Sequence, residues 1–275
     1  MVLEGLIKPL TAEKRPFELF FLGIIFSSVA IVLSLFIFSP HSSLVSISLT
    51  TIVCIPIVYG VIKMEEAKTI EIQKESILVK EHGKALLFFM FLFLGFTISF
   101  ALWYVFLPES QLSELFSVQT ATISGAAGGP AGGVTGNAIS ASKEVLLLFV
   151  HNFKVLLFCL LFAFFYGFGA IYILTWNASV IGAAIGDAIR SNIGMGYFSV
   201  ISAGLLKYLT HGIPEIAAYF TAGLAGGIIS IAVINHDFKS DRFRHILVDS
   251  FDLIAVSVGL LVVAAMLEVF VSPLI

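Results

Sequence analysis

The chain has 275 residues, of which 59% are hydrophobic and 12% are charged, and its formal net charge is −3. A typical soluble domain has about 25% charged residues, whereas the hydrophobic residues here form long runs that are almost free of charge. A helix needs roughly 20 apolar residues to cross a bilayer. Runs of this length exclude a soluble globular protein and predict an all-α transmembrane helix bundle whose surroundings are lipid, with no nucleic-acid partner.

The apolar runs predict about seven membrane spans, within a range of six to eight. The expected spans are 17–38, 44–62, 85–107, 155–176, one crossing within 177–210, 213–234 and 248–271. A short interfacial helix over 144–150 is expected before the fourth span. Within 177–210, a helix-like piece over 178–190 is followed by a break at 191–196. This pattern predicts a broken region with one crossing and one re-entrant or interfacial piece.

The chain divides by composition into two predicted parts. Residues 1–84 form a transmembrane hairpin followed by a charged stretch over 63–84, which is expected to be a solvated cytoplasmic helix. Residues 85–275 form a five-span core with a glycine-rich extracytoplasmic segment at 108–142. Six glycines lie between Gly125 and Gly136, and such a composition disfavours a regular helix or strand. A flexible loop and a re-entrant or gating loop are both compatible with it.

The distribution of lysine and arginine predicts the orientation, because cytoplasmic loops are enriched in both. With the N-terminus in the cytoplasm, twelve of these residues fall on the inner side and three, Lys143, Lys154 and Lys207, on the outer side. An odd number of spans then leaves the C-terminus outside. The inner residues are Lys8, Lys14, Arg15, Lys63, Lys68, Lys74, Lys80, Lys84, Arg190, Lys239, Arg242 and Arg244.

Polar residues at membrane depth are the main functional candidates, because burying them in lipid is costly. The candidates are His151, Asn152, Asn177, Asp187, His211 and Glu215. His211 and Glu215 are four residues apart and share a helix face. With Pro214 they also resemble a helix start, where a carboxylate meets the positive end of the helix dipole. Capping and a proton- or cation-handling role both remain open for this pair.

Neither a metal site nor a catalytic group is evident from the residue pattern. A catalytic zinc needs three protein ligands, and His211 and Glu215 would have to recruit His151 from another helix. The sequence has no HExxH motif, and Cys54 and Cys159 both lie within apolar runs. We therefore expect no metal and no other cofactor, and we favour a non-enzymatic protein.

Small residues recur at a spacing that allows helices to approach closely in lipid. Gly182 and Gly186 form one GxxxG motif, and Gly223 and Gly227 form another, with Gly226 beside them. These glycines predict helix packing. Packing within the chain and contact between two copies in a homodimer are both compatible with the spacing.

Two segments resemble the stage II sporulation protein M family. The first runs from His151-Asn152-Phe153-Lys154 through Gly167-x-Gly169 to Asn177 and Gly182, although the family has asparagine in place of His151 and glycine in place of Ala178. The second is His211-Gly212-Ile213-Pro214-Glu215, followed by Gly223 and Gly226, which resembles the family's His-Gly-x-x-Glu segment. The resemblance covers about 85–271 and implies five spans that start inside and end outside.

The resemblance implies a limited function, because the founding member is a membrane anchor and scaffold that works with cell-wall hydrolases during engulfment. Three hypotheses follow for this chain. The first is a non-enzymatic membrane scaffold or component of a membrane complex, with membrane or cell-surface protein partners. The second is a transporter or channel that uses the broken region 177–210 and the face of His211 and Glu215. The third is an intramembrane metal-dependent enzyme.

Overall fold

The computed structural model describes residues 15–72, 75–127, 138–163, 168–192, 198–235 and 239–274. These ranges are helical and contain no strand, so the predicted all-α fold is confirmed for them. The helices are α1 (Pro16–Ile37), α2 (Ser42–Glu71), α3 (Glu75–Phe106), α4 (Glu109–Leu115), α5 (Ser117–Ala127), α6 (Ala138–Ala163), α7 (Phe168–Asn192), α8 (Phe198–Asn235) and α9 (Asp241–Phe270). A short 3₁₀ turn, Ser272–Leu274, follows α9.

Seven of the described helices are long and apolar enough to cross a membrane. The crossing segments are Pro16–Ile37, Ser42–Glu71, Lys80–Phe106, Ala141–Ala163, Ala170–Ser191, Leu209–Asn235 and Asp241–Phe270. The number agrees with the seven spans predicted from the sequence. The protein is therefore a multi-pass membrane protein built as a helix bundle.

The predicted boundaries of the fourth and fifth spans are wrong. The expected span 155–176 and the expected short helix 144–150 are replaced by α6, which ends at Ala163, and α7, which begins at Phe168. Residues 178–190 are the second half of α7 and not a separate re-entrant piece. The error has a simple cause: the sequence stays apolar from the end of α6 into α7, so hydropathy alone does not show where one helix ends and the next begins. The predicted break at 191–196 falls largely on 193–197, which lie outside the described residues.

The charged stretch over 63–84 also differs from the expected single solvated helix. Its first part continues α2 as far as Glu71, and its last part belongs to α3, which begins at Glu75. Several of its polar side chains are buried, among them Glu65, Glu66 and His82. The sequence predicts that the polar side chains of this stretch face water, whereas these three are buried within the bundle.

The helices pack around α8, which is the most enclosed crossing helix, while α6 is the most exposed. α8 packs against α9, α6, α7 and α2, and α3 packs against α1 and α7. α2 contacts α7, α8 and α9 as well as α1. The first two helices therefore pack against each other and against the rest of the bundle.

Glycines allow the closest helix contacts in this bundle. Gly23 of α1 faces Gly95 of α3, and a Cβ added at Gly23 would lie 2.7 Å from the Leu92 carbonyl oxygen. At Gly182 of α7, an added Cβ would lie 2.7 Å from the Phe100 Cβ and 2.8 Å from the Thr97 carbonyl oxygen of α3. These distances are shorter than van der Waals contact, so only glycine fits.

The other predicted packing glycines also lie at helix contacts within the chain. A Cβ at Gly186 would meet Tyr104, and one at Gly226 would lie 2.6 Å from the Leu160 carbonyl oxygen of α6. Gly227 faces Ile62 of α2, and Gly223 faces Ala170 of α7. All five glycines therefore face neighbouring helices of the same chain.

Two short helices, α4 and α5, cover one end of the bundle within the predicted segment 108–142. Ser42 Oγ donates a hydrogen bond to Glu114 of α4 at 3.0 Å. Ser43 Oγ donates to the Gln119 side-chain oxygen of α5 at 2.8 Å, and the Gln119 amide nitrogen donates to Ser179 of α7 at 3.2 Å. The glycine-rich stretch 128–137 lies outside the described residues.

Candidate functional site

Two of the six predicted site residues meet at the contact between α6 and α8. Asn152 lies on the buried face of α6, and its side chain is close enough to the Glu215 carboxylate of α8 to interact with it. The Tyr219 hydroxyl, one turn along α8, donates to Glu215 Oε1 at 2.8 Å. Glu268 of α9 lies near enough to add a second negative charge to this environment. We call Asn152, Glu215 and Tyr219 the carboxylate site.

His211 is near the carboxylate site but has a different partner. Its Nδ1 lies 3.0 Å from Ser272 Oγ in the turn after α9. The predicted helix start at His211–Glu215 is wrong, because α8 begins at Phe198 and Pro214 is inside it. Glu215 therefore does not cap a helix. Its carboxylate is instead satisfied by side chains of its own helix and of α6.

The other predicted site residues lie elsewhere. Asn177 donates through its side-chain amide to the Ile173 carbonyl of its own helix at 2.8 Å. Asp187 accepts a hydrogen bond from the Tyr104 hydroxyl of α3 at 3.2 Å, and His151 is exposed on α6. The six residues therefore do not converge on one site.

Arg190, near Asp187, ties the end of α7 to the end of α3. It donates to the Leu107 carbonyl at 2.7 Å and pairs with Glu109 at 3.0 Å. Leu107 and Glu109 follow the third span, so Arg190 belongs with the outer residues in the predicted orientation. With Arg190 moved to the outer side, lysine and arginine are still more numerous on the predicted inner side, so the predicted orientation is unchanged.

A second polar cluster was not predicted as a site, and it joins α2, α3 and α9. His82 of α3 is 1% exposed and lies between two carboxylates. Its Nδ1 is 2.8 Å from Glu65 Oε2 of α2, and its Nε2 is 3.0 Å from Asp249 Oδ2 of α9. Lys68 Nζ approaches Glu65 Oε1 at 2.6 Å. We call Glu65, Lys68, His82 and Asp249 the charged junction.

The hydrogen bonds of the charged junction favour a positively charged His82. An ionised carboxylate only accepts hydrogen bonds, so an imidazole between two carboxylates satisfies both when both ring nitrogens carry protons. Thr69 Oγ1 adds a hydrogen bond to Asp249 Oδ2 at 3.3 Å. Glu65 and His82 belong to the stretch that the sequence predicts to be solvated, and no local spacing relates positions 65, 82 and 249. In the structure, Ser240 caps α9 by accepting from the Phe243 amide at 3.2 Å, and Asp249 lies further into the helix.

The described residues offer no set of ligands for a metal ion, and the small gap between four of the helices is apolar. In the described part of the chain, no group of three His, Cys, Asp or Glu side chains is placed to share a metal ion. A gap of about 10 Å³ lies between α2, α3, α7 and α8, lined by apolar residues such as Phe89, Leu174 and Phe220. A cavity needs roughly 10–15 Å³ to hold one water, so this gap has no room for a substrate.

The fold and these two clusters define a multi-pass helical membrane protein whose polar side chains join helices to one another. A family model described as stage II sporulation protein M matches residues 84–273. The chain belongs to the stage II sporulation protein M family, as its two sequence segments indicated. The comparisons with curated proteins and with solved structures found no match. The matched region begins within α3 at residue 84, so Glu65, Lys68 and His82 precede it and Asp249 alone of the charged junction lies within it.

Proposed function

We propose that this protein is a non-enzymatic membrane scaffold, a component of a membrane complex that holds partner proteins. The observation that carries the proposal is the use of buried polar groups as inter-helix ties. Glu65, His82 and Asp249 satisfy one another, and Glu215 is satisfied by Tyr219 and Asn152. Membership of the stage II sporulation protein M family supports the same role.

The packing of the bundle agrees with a rigid scaffold. Glycine-mediated contacts fix α1 to α3, α3 to α7 and α6 to α8. Polar ties add a second kind of contact, since Trp103 Nε1 of α3 donates to Ser28 of α1 at 3.0 Å. Hydrogen bonds between helices in lipid each contribute about 0.6–2 kcal/mol. A bundle held in this way presents fixed surfaces to partners.

Affinity purification from native membranes tests the scaffold role. We expect the tagged chain to recover at least one other membrane or cell-surface protein in a fixed ratio that survives salt washing. An unrelated seven-span protein with the same tag, expressed at the same level, is the control. Recovery of the chain alone, or of the same proteins with the control, would count against a scaffold.

A transporter is the second candidate, because Pro214 lies inside α8 next to the Glu215 carboxylate. Proline removes a backbone hydrogen bond and favours a kink, and polar groups beside helix breaks are common at transport sites. If Glu215 served transport, Glu215→Gln would abolish proton or cation flux into proteoliposomes. We expect no flux above empty vesicles for the wild type or for Glu215→Gln. Flux that depends on Glu215 would establish transport instead.

A further inference from the structure

The face of α6 that points away from the bundle carries both apolar residues and a lysine, and lipid chains do not stabilise the charge of a lysine. Leu147, Phe158 and Leu161 are 58%, 54% and 59% exposed. Lys154 and His151 are exposed on the same face. Together the five residues follow a spacing of four, three, four and three, which gives a single stripe along a helix. We call them the α6 stripe.

The α6 stripe is the opposite side of α6 from the one that packs into the bundle. The buried positions of α6 include Asn152, Leu156, Cys159 and Ala163, which have the same alternating spacing. α6 therefore carries two stripes of this spacing, and among the described helices only the stripe with Asn152 is covered. Exposed apolar residues alone would fit lipid, so Lys154 is the residue that requires explanation.

Lys154 lies deep in its crossing segment. By length and hydropathy, the candidate crossing segment among the described residues is Ala141–Ala163, with 23 residues, and Lys154 is nine residues from its nearer described end. At 1.5 Å per residue this is about 13 Å, which the four-carbon stem of lysine does not span. Neither Lys154 nor His151 forms a hydrogen bond or ion pair with another described residue. Cations at such depth are almost always paired or face water.

Building on the proposed scaffold role, we propose that the α6 stripe binds a transmembrane helix of another protein that carries a carboxylate at mid-membrane depth, opposite Lys154. Charge complementarity selects this occupant. A carboxylate neutralises Lys154 in lipid, and apolar side chains of the same helix pack against Leu147, Phe158 and Leu161. Such pairing is a standard way to satisfy an intramembrane charge.

A second copy of this chain fits the α6 stripe less well. Two copies inserted in the same direction are related by an axis along the membrane normal, so a symmetric contact through this face brings the same residues together. Lys154 would then face Lys154 of the other copy at equal depth, with like charges opposed. The Glu215 carboxylate on the neighbouring helix α8 already interacts with Tyr219 and Asn152.

A binding experiment with synthetic helices tests the proposal. The full-length chain, labelled with a fluorescence donor at its N-terminus, is reconstituted in bilayers with acceptor-labelled Leu-rich transmembrane peptides. The peptides carry glutamate, glutamine or leucine at the central position. We expect the glutamate peptide to associate about tenfold more tightly than the leucine peptide, with the glutamine peptide weaker than the glutamate one. Lys154→Met should remove this preference, and Lys63→Met, which neutralises an exposed lysine of α2, should keep it.

Three results of the same experiments would contradict the proposal or limit it. Equal association of the three peptides, or a glutamate preference that survives Lys154→Met, would overturn the proposal. Energy transfer between differently labelled copies that disappears in Lys154→Met would assign the stripe to a second copy and would also overturn it. If native partners co-purify with the chain while the glutamate preference is absent, the scaffold role stands and the α6 stripe is not the binding face.

Discussion

Replacing His82 with leucine should lower the free energy of unfolding in detergent by about 3–5 kcal/mol. The substitution removes the imidazole whose two ring nitrogens donate hydrogen bonds to the Glu65 and Asp249 carboxylates, and Glu65 is fully buried. Removing one partner of a buried ion pair costs far more than replacing all partners by apolar groups. The measurement is equilibrium unfolding of the purified protein, followed by circular dichroism.

His245→Leu provides a matched control, because His245 lies exposed on α9, one turn from Asp249. It should change the free energy of unfolding by no more than about 0.5 kcal/mol. A triple variant, Glu65→Met with His82→Leu and Asp249→Leu, should recover much of the loss, since no unpaired carboxylate of the pair remains. Equal effects of His82→Leu and His245→Leu would show that the charged junction does not hold the three helices together.

Replacing Gly182 with valine should destabilise the bundle by about 1–3 kcal/mol through overpacking. The added Cβ alone would lie 2.7 Å from the Phe100 Cβ and 2.8 Å from a backbone carbonyl oxygen of α3. Backbone cannot move aside as a flexible side chain can, so α7 has to separate from α3. Unfolding in the same detergent measures the loss.

The matched control for Gly182→Val is Gly259→Val in α9. No heavy atom lies within 4 Å of a Cβ built at Gly259, so this variant carries only the change in intrinsic helix propensity. The difference between the two variants isolates the contact between α3 and α7. If Gly259→Val is as destabilising as Gly182→Val, close helix approach is not what glycine provides at position 182.

The sequence predicted those parts of the fold that depend only on the length and apolarity of a single segment. Long charge-free runs located α1, α3 and α9 well, because a crossing helix needs length and apolarity and little else. It failed at the end of α6 and the start of α7, because the apolar residues continue from one helix into the other. It also failed at Pro214, which fits a first helical turn but lies inside α8. Local patterns do not distinguish these alternatives, because neighbouring helices decide between them.

The candidate sites were predictable only in part. Asn152 and Glu215 were selected as polar residues at membrane depth, and α6 and α8 bring them together. The charged junction was not predicted, because Glu65 and His82 belong to a stretch rich in lysine and glutamate, which is typical of a solvated helix. Asp249 joins them from 167 positions beyond His82. Only the packing of α9 against α2 brings these residues together.

The charged junction also bears on how the first two helices relate to the rest of the chain. The family match begins at residue 84, whereas Glu65 and Lys68 precede it. α2 nevertheless contributes its buried carboxylate to a cluster with α3 and α9. The segment before the matched region is therefore tied into the bundle by charge as well as by apolar packing.

The mass of the protein as extracted directly from native membrane tests the scaffold proposal most directly. The chain alone has a mass of 29.7 kDa. Native mass spectrometry of membrane nanodiscs, formed without detergent, should give a larger assembly that contains this chain and a different protein in a fixed ratio. A species of 29.7 kDa alone, together with ion or solute flux by the same preparation in vesicles, would contradict the scaffold role.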